Sequence, residues 1–556
     1  MDHKKLSELL FSDIDKTPAD YEKIYPPREL PAGAPVVRLG PSPTGFIHLG
    51  NLYGAFVDER LAHQNAGVFF LRLEDTDEKR YVEGSVEAII DSLSFFGIKF
   101  DEGITKDGET GNYGPYEQSK RGYIYKAYVK HLIELGFAYP CFLSEDEINS
   151  IREEQEQNKI TPGIYGIYAK SRDLTFEQIE EKISNGEEYV IRLKSQGSSE
   201  IDKENKEGYF TIIDGIRGEI SMPRNFQDVV ILKKTGLPTY HFAHVVDDYL
   251  MRTTHVVRGE EWLASLPIHV ELFEILELPK PIFCHTAVLM KIDENGNKKK
   301  LSKRNDPELA LSFYKEKGYH PLAVREYLLT ILNSNFEEWR IENPTLSAEK
   351  FVFTLEKMSK AGALFDLNKL NDISKDVLLG IDSDTLSEFL LQWAQEFSQT
   401  TFTLLSSHSE TLIKALSLGR SGDKPRKDFM YASQMFNFIS YFFDETFVIE
   451  ENLPENVSSA DCREILEKYI SSYNHNDTQE EWFDKVRTIG EEMGYAKKPK
   501  DFKKNPDQYK GHVGHVSTAI RIALMGRSQS PDLWEIQQIF GEERVGLRIK
   551  SYTEQL

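Results

Sequence analysis

The sequence predicts an α/β protein: a parallel sheet interrupted by an α+β insertion and followed by an all-α carboxyl half. Three observations carry this. The apolar run Val36–Leu39 is broken by Pro41 and Pro43, then gives way to helical spacing at Leu52, Tyr53, Phe56, Val57 and Leu61. Gly67 closes that segment, and a second apolar run, Val68–Leu73, follows, the order and size of one βαβ unit. From Tyr116 to Lys234 helices are followed by strand-like runs, as in an α+β insertion. Beyond about Leu309 nearly every segment has helical periodicity.

The chain has 556 residues, enough for about three to five domains. Lys and Arg number 67 against 90 Asp and Glu, a net charge of −23, so bulk charge does not advertise a nucleic-acid partner. It does not exclude one, because phosphate contacts need only a local basic surface. Cys141, Cys284 and Cys462 form neither a disulfide framework nor a metal cluster. The amino end lacks a signal-peptide core, and no apolar run approaches the ~20 residues of a membrane span. A cytoplasmic protein with no membrane partner is expected.

Taken in order, residues 1–35 are polar and then proline-marked, read as a surface extension on the first domain, with disorder the alternative. Residues 36–115 hold the βαβ unit, a helix from about Glu83 to Phe96 and a Gly-rich loop, Asp101–Gly114. Residues 116–234 hold a helix (Tyr123–Leu135), an acidic helix (Ser144–Gln157) and strands at 189–194, 209–213 and 229–232. In 235–308 the parallel-sheet texture resumes at Tyr240–Asp248 and His255–Trp262, and the lysine-rich loop Lys298–Arg304 follows. The helical remainder divides into 309–375 and 376–556, with linkers near 343–347 and 452–459.

Parallel sheets bind ligands at their carboxyl edge, where His48, Glu74 and a helix amino end would meet. A helix amino end carries unpaired N–H groups and partial positive charge, which suits phosphate. A nucleotide is the expected guest.

Two separated elements sharpen this. His48-Leu49-Gly50-Asn51 follows the first strand, and Lys300-Leu301-Ser302-Lys303-Arg304 comes about 250 residues later. They resemble the two ATP-binding signatures of class I aminoacyl-tRNA synthetases. Arg38-Leu39-Gly40-Pro41-Ser42-Pro43-Thr44-Gly45 narrows the resemblance to glutamyl-tRNA synthetases of bacterial type. So do Arg72-Leu73-Glu74-Asp75-Thr76-Asp77, Tyr240–Asp248, Arg258-Gly259-Glu260-Glu261-Trp262 and the lysine loop. The matches are ordered and spread over residues 36 to about 370.

The resemblance implies a Rossmann-type catalytic domain split by an insertion (116–234) that holds the tRNA acceptor end, then helical stem-contact (309–375) and anticodon-binding (376–556) domains. It implies ATP with Mg²⁺ and L-glutamate as small-molecule partners, and tRNA(Glu) as the acceptor. His48, Lys300 and Lys303 would be catalytic, and Gly50, Asn51 and Ser302 would join them around ATP. Arg38, Ser42, Glu74, Tyr240, His244 and Arg258 would form the glutamate pocket. Attack of a carboxylate on the α-phosphate needs positioning and charge stabilisation rather than a covalent enzyme intermediate. An arginine fork is the natural reader of a side-chain carboxylate, and glutamine would leave its buried charge unpaired. Without the motif, Arg38 and Arg258 read equally well as structural ion pairs; core packing is the lesser alternative for Tyr240.

Two stretches match the signatures by letter and not by context. His512-Val513-Gly514-His515 lies near the chain end with no strand and proline turn before it, and reads as a helix entry. Lys357-Met358-Ser359-Lys360 lies in a helical pattern remote from the sheet. In the insertion, Cys141 lacks companions for four ligands, so no structural zinc is expected. Lys424, Arg426 and Lys427, and Lys497, Lys498, Lys500, Lys503 and Lys504, are basic clusters suited to phosphates. A monomer is expected. Charging of tRNA(Gln) as well, or a paralogue that binds tRNA without catalysis, are the alternatives.

Overall fold

The computed structural model describes residues 1–43, 47–200, 207–302 and 305–556. Helices α1 (His3–Leu10) and α2 (Pro18–Ile24) precede β1 (Val36–Leu39), α3 (Leu49–His63) and β2 (Val68–Leu71). Next come α4 (Ser85–Phe95), β3 (Glu102–Thr105) and β4 (Gly108–Thr110). Strands β1, β2 and β3 are parallel neighbours in that order, and β4 turns back antiparallel on β3. All four residues of β1 are buried, as expected of a parallel strand covered on both faces.

The insertion runs through α5 (Gly122–Glu134), β5 (Ala138–Cys141), α6 (Glu145–Gln157), α7 (Phe176–Ser184), β6 (Val190–Leu193), β7 (Tyr209–Asp214), β8 (Gly218–Pro223) and β9 (Val230–Leu232). Strands β5, β6 and β9 make an antiparallel sheet, and β7 with β8 make a hairpin. Ser144 and Thr175 close capping boxes that start α6 and α7.

After α8 (Tyr240–Leu250), β10 (His255–Gly259) enters beside β1, where the Thr254 amide donates to the Val36 carbonyl at 2.9 Å. Helix α9 (Leu266–Ile275) leads to β11 (Ile282–Thr286), parallel to β10 with Arg258 in register with His285. Strands β12 (Leu289–Ile292), β13 (Lys298–Lys300) and β14 (Ala363–Leu364) form a small sheet with β12 central.

Residues 1–35 are ordered helices and turns. Leu6 is fully buried, and both α1 and α2 pack on α5. Arg28 forks onto Glu102 at 2.8 and 3.0 Å and lies 3.8 Å over the Tyr113 ring.

The chain divides into two compact units, 1–313 with 325–366 and 314–324 with 367–556. The six-part division expected from the sequence is finer, and its 309–375 segment contributes to both units. The second unit is built of helices around one apolar core that includes Leu390, Leu412, Met435, Ile465, Val516, Ile520 and Ile536. No helix among the described residues is long and apolar enough to cross a membrane.

Four local expectations are corrected. Tyr240–Asp248 is helix, not strand: its apolar run fits either period, and the helix is buried on all sides, with 242–248 all buried. The Gly-rich Asp101–Gly114 loop contains the β3–β4 hairpin. Lys298–Lys300 is strand rather than loop, paired antiparallel to β12. Leu355–Lys357 is a single 3₁₀ turn, and Met358 forms a bridge to Asn333, so the Lys357–Lys360 stretch is not helical.

Candidate active site

The carboxyl ends of β1, β2, β10 and β11, with the amino end of α3, enclose a cleft of about 750 Å³. That is the edge where a parallel sheet presents its ligands. Arg38, Ser42, His48, Gly50, Asn51, Glu74, Tyr240, Arg258 and Lys300 all line it. Residues more than 250 positions apart in the chain meet there.

At the helix entry, Nδ1 of His48 accepts the Asn51 amide at 3.3 Å, and Oδ1 of Asn51 accepts the His48 amide at 3.1 Å. The pair is a capping box built from histidine and asparagine. A ring nitrogen that accepts carries no proton, so the neutral imidazole holds its proton on Nε2, as a donor. A Cβ on Gly50 would come within 2.9–3.0 Å of the His48 ring, so a side chain there would push that ring out of its capping position.

The floor is a buried charge network centred on Asp248. Arg72 donates from Nη1 to Oδ1 at 2.6 Å, and Arg38 donates from Nε at 3.2 Å. His244 Nδ1 lies 2.6 Å from Oδ2. Arg72 also donates from Nη2 to Glu74 at 3.0 Å. Burial alone would raise the Asp248 carboxyl, but Arg38 and Arg72 outweigh it and hold it well below the usual range. Burial lowers His244 to about 4, against the pull of Asp248, so this ring is neutral near pH 7. Tyr240, raised to about 12 by burial and by Glu74, stacks on His244 with centroids 5.7 Å apart and packs on Trp262 at 4.5 Å.

Arg258 is held differently. Its Nε donates to His285 at 3.0 Å and its Nη1 meets His269 at 2.9 Å, while Nη2 is buried with no partner. Two of the expected residues lie outside the cleft wall. His244 is fully buried behind Tyr240, and the Ser302 amide and hydroxyl donate to Asp306, at 2.7 Å from the amide. Lys303 lies outside the described residues.

Sequence reasoning assigned no role to Asp58, Arg72, Asp248, His269 or His285. The Tyr240, His244, Asp248 spacing of four was the available signal, since it puts all three on one helical face. Asp58 on α3 also lines the cleft; burial drives its carboxyl well above the usual range, and neither oxygen has a partner.

A family model described as tRNA synthetases class I (E and Q), catalytic domain, matches residues 35–372. The chain belongs to that family. A glutamate–tRNA ligase of Acetivibrio thermocellus is 60% identical over 551 residues, 99% of this chain and 100% of that protein. One from Clostridium perfringens is 47% identical over 557 residues, again 99% and 100% of the two chains. The crystal structure of a glutamate–tRNA ligase from Elizabethkingia meningosepticum, in complex with its amino acid, superposes with a TM-score of 0.73 at 28% identity. That match covers 94% of this synthetase chain and 99% of the other.

Proposed function

We propose that the chain attaches L-glutamate to the 3′ end of tRNA(Glu) through a glutamyl-adenylate, releasing AMP and pyrophosphate, as a step in protein synthesis. The observation that carries this reading is the meeting, in one cleft, of a helix-capping histidine and a lysine on one side with a buried, partly unpartnered arginine on the other. The full-length relatives are glutamate–tRNA ligases, which agrees with it.

In the first step a carboxylate oxygen of glutamate attacks the α-phosphorus of Mg–ATP, the bond to the β-phosphate oxygen breaks, and pyrophosphate leaves. His48 Nε2–H donates to phosphate oxygens at the α3 amino end, whose partial positive charge adds to it. Lys300, exposed at the cleft edge, stands beside the charge that develops on the leaving group, and Lys303 is assigned to the same task. Such donors stabilise charge that exists only in the transition state. In the second step a terminal ribose hydroxyl of tRNA attacks the acyl carbon and AMP departs. Neither step needs a bond to the protein.

Arg258 is assigned to the side-chain carboxylate of glutamate, with Arg38 beside it, Glu74 to the ammonium group, and Tyr240 and Ser42 to neutral hydrogen bonds. His244 acts from behind, through Tyr240 and Asp248. The insertion 116–234 receives the acceptor end, and the helical half receives the stem and anticodon. The chain works as a cytoplasmic monomer.

The test is aminoacylation of purified tRNA(Glu) and tRNA(Gln) with labelled glutamate and, separately, labelled glutamine. Glutamate on tRNA(Glu) is expected. Glutamine as the substrate would overturn the assignment of Arg258, and no charging of a competent tRNA would overturn the reading as a whole.

A further inference from the structure

The hydrogen bonds behind Arg258 have a direction that can be assigned. Arginine has donors and no acceptor. Its Nε–H therefore donates to Nε2 of His285, and its Nη1–H to Nδ1 of His269. Each accepting nitrogen lacks a proton, so each neutral ring carries its proton on the other one. For His285 that is Nδ1, 2.6 Å from Oδ2 of Asp214. For His269 it is Nε2, 3.0 Å from Nδ1 of His241. Two chains of donors thus run outward from the guanidinium, one to the corner of the β7–β8 hairpin and one to α8.

The arrangement is rigid. His269 and His285 are fully buried and Asp214 is 2% exposed. Asp214 is itself fixed by the amides of Ile216, Arg217 and His285. The Phe283 ring lies 4.9 Å from the Arg258 guanidinium carbon, setting its plane. Burial lowers all three histidines, so the rings remain the neutral acceptors that Arg258 requires.

The contrast with Arg38 gives this geometry its consequence. Arg38 meets the Asp248 carboxylate directly, so its charge is compensated within the protein. Arg258 is held on two edges by uncharged acceptors and has the neutral Tyr240 hydroxyl beside it, and its Nη2 is buried in the cleft wall with no carboxylate bonded to it. An uncompensated buried cation is costly until an anion meets it. An anionic side chain relieves that cost; a neutral amide of the same shape does not.

We propose that His285, oriented by Asp214, and His269, backed by His241, are positioning residues that hold Arg258 with its charge unspent, and that they set selectivity for glutamate over glutamine. The inference rests on the assignment of Arg258 to the substrate's side-chain carboxylate. His285 and His269 act through Arg258 and are not themselves in the cleft wall.

A double-mutant cycle on the full-length chain tests it, with KM for glutamate, KM for ATP and the glutamate-to-glutamine ratio of kcat/KM read from tRNA(Glu) charging. R258A should raise the glutamate KM by about 10²-fold, the range expected when one partner of a buried charge contact is truncated. H285F keeps a ring of similar size and removes the acceptor. It should raise the glutamate KM about tenfold, lower the selectivity ratio and leave the ATP KM alone. H285Q restores an acceptor oxygen and should recover most of the loss. In the R258A background H285F should add nothing. If H285F raises both KM values together, or its effect multiplies fully with that of R258A, His285 is only structural and the inference falls. If R258A raises the glutamate KM and neither H285F nor H269F does, the inference falls while the assignment of Arg258 stands. If R258A leaves the glutamate KM unchanged, the assignment itself fails and takes the inference with it.

Discussion

Arg72 donates to Asp248 at 2.6 Å in the floor of the cleft, and both side chains are fully buried. Asp248 also receives Arg38, so one carboxylate meets two buried guanidiniums, with Glu74 bonded to Arg72 as well. Asp248→Asn keeps the shape and removes the charge, leaving both arginines short of compensation. Breaking a buried pair from one side costs about 3–5 kcal/mol. A clear fall in the melting temperature of the variant is expected by calorimetry. An unchanged melting temperature would mean the network contributes nothing to stability.

His48 has two tasks that one substitution separates. As helix cap it satisfies the Asn51 amide, and asparagine is at least as good a cap. His48→Asn should therefore melt within a degree or two of the parent. As phosphate donor it has no substitute, and kcat should fall by roughly 10²–10³-fold, the loss typical of one such donor. His48→Ala should lose the same rate and about 1 kcal/mol of stability besides. Thermal melts and single-turnover charging check both. Full activity in His48→Asn would remove His48 from the chemistry.

His244 predicts a pH dependence. Its folded-state value, about 4, lies below the ordinary 6.5. Between those values the unfolded chain binds a proton that the native protein does not, so stability falls as pH drops from about 6.5 toward 4 and levels off below. His241, His269 and His285 are lowered as well and act in the same direction. His255, His320, His512 and His515 are lowered too, so His244→Asn removes one of eight contributors and its melting temperature should decline somewhat less steeply over that window. A parallel decline in both proteins would show that His244 is protonated in the fold.

Arg28 ties residues 1–35 to the sheet edge. It forks onto Glu102, its Nε donates to the Met251 carbonyl at 3.1 Å, and its side chain is 7% exposed. Arg28→Ala should cost about 2–4 kcal/mol, since Glu102 would keep a half-buried charge with only the Tyr116 hydroxyl beside it. Limited proteolysis should then cut within residues 1–35 faster than in the parent. Equal rates would show that the helices α1 and α2 hold the segment without Arg28.

Much of the cleft was legible in the sequence because its pieces are local. Pro41 and Pro43 end a strand, His48 and Asn51 start a helix, and the apolar runs on either side set the βαβ unit. The Asp248 network was not legible, since it depends on which of two periods the 240–248 run obeys. Nine residues of mixed apolar character fit a strand or a helix about equally well, and burial against α5, α9 and β9 decided for helix. The chain of donors behind Arg258 was further out of reach. It joins Asp214, Arg258, His269 and His285, which come from three strands and a helix.

The two letter-matches to the first signature draw the line between local and tertiary information. His512 caps the helix Val513–Met525 as His48 caps α3: its Nδ1 accepts the Gly514 amide at 3.0 Å, and His515 reaches back to the His512 amide. A Cβ on Gly514 would meet the His512 ring at 2.7 Å, just as one on Gly50 would meet His48. By itself, then, the sequence determined two equivalent helix caps, because capping is settled within four residues. Only the tertiary structure decided which cap opens on a cleft. β1, β2, β10 and β11 come from segments up to about 250 residues apart; the parallel pairs β1–β2 and β10–β11 place Arg258, and the antiparallel β12–β13 pair places Lys300, on the cleft at the helix that His48 begins.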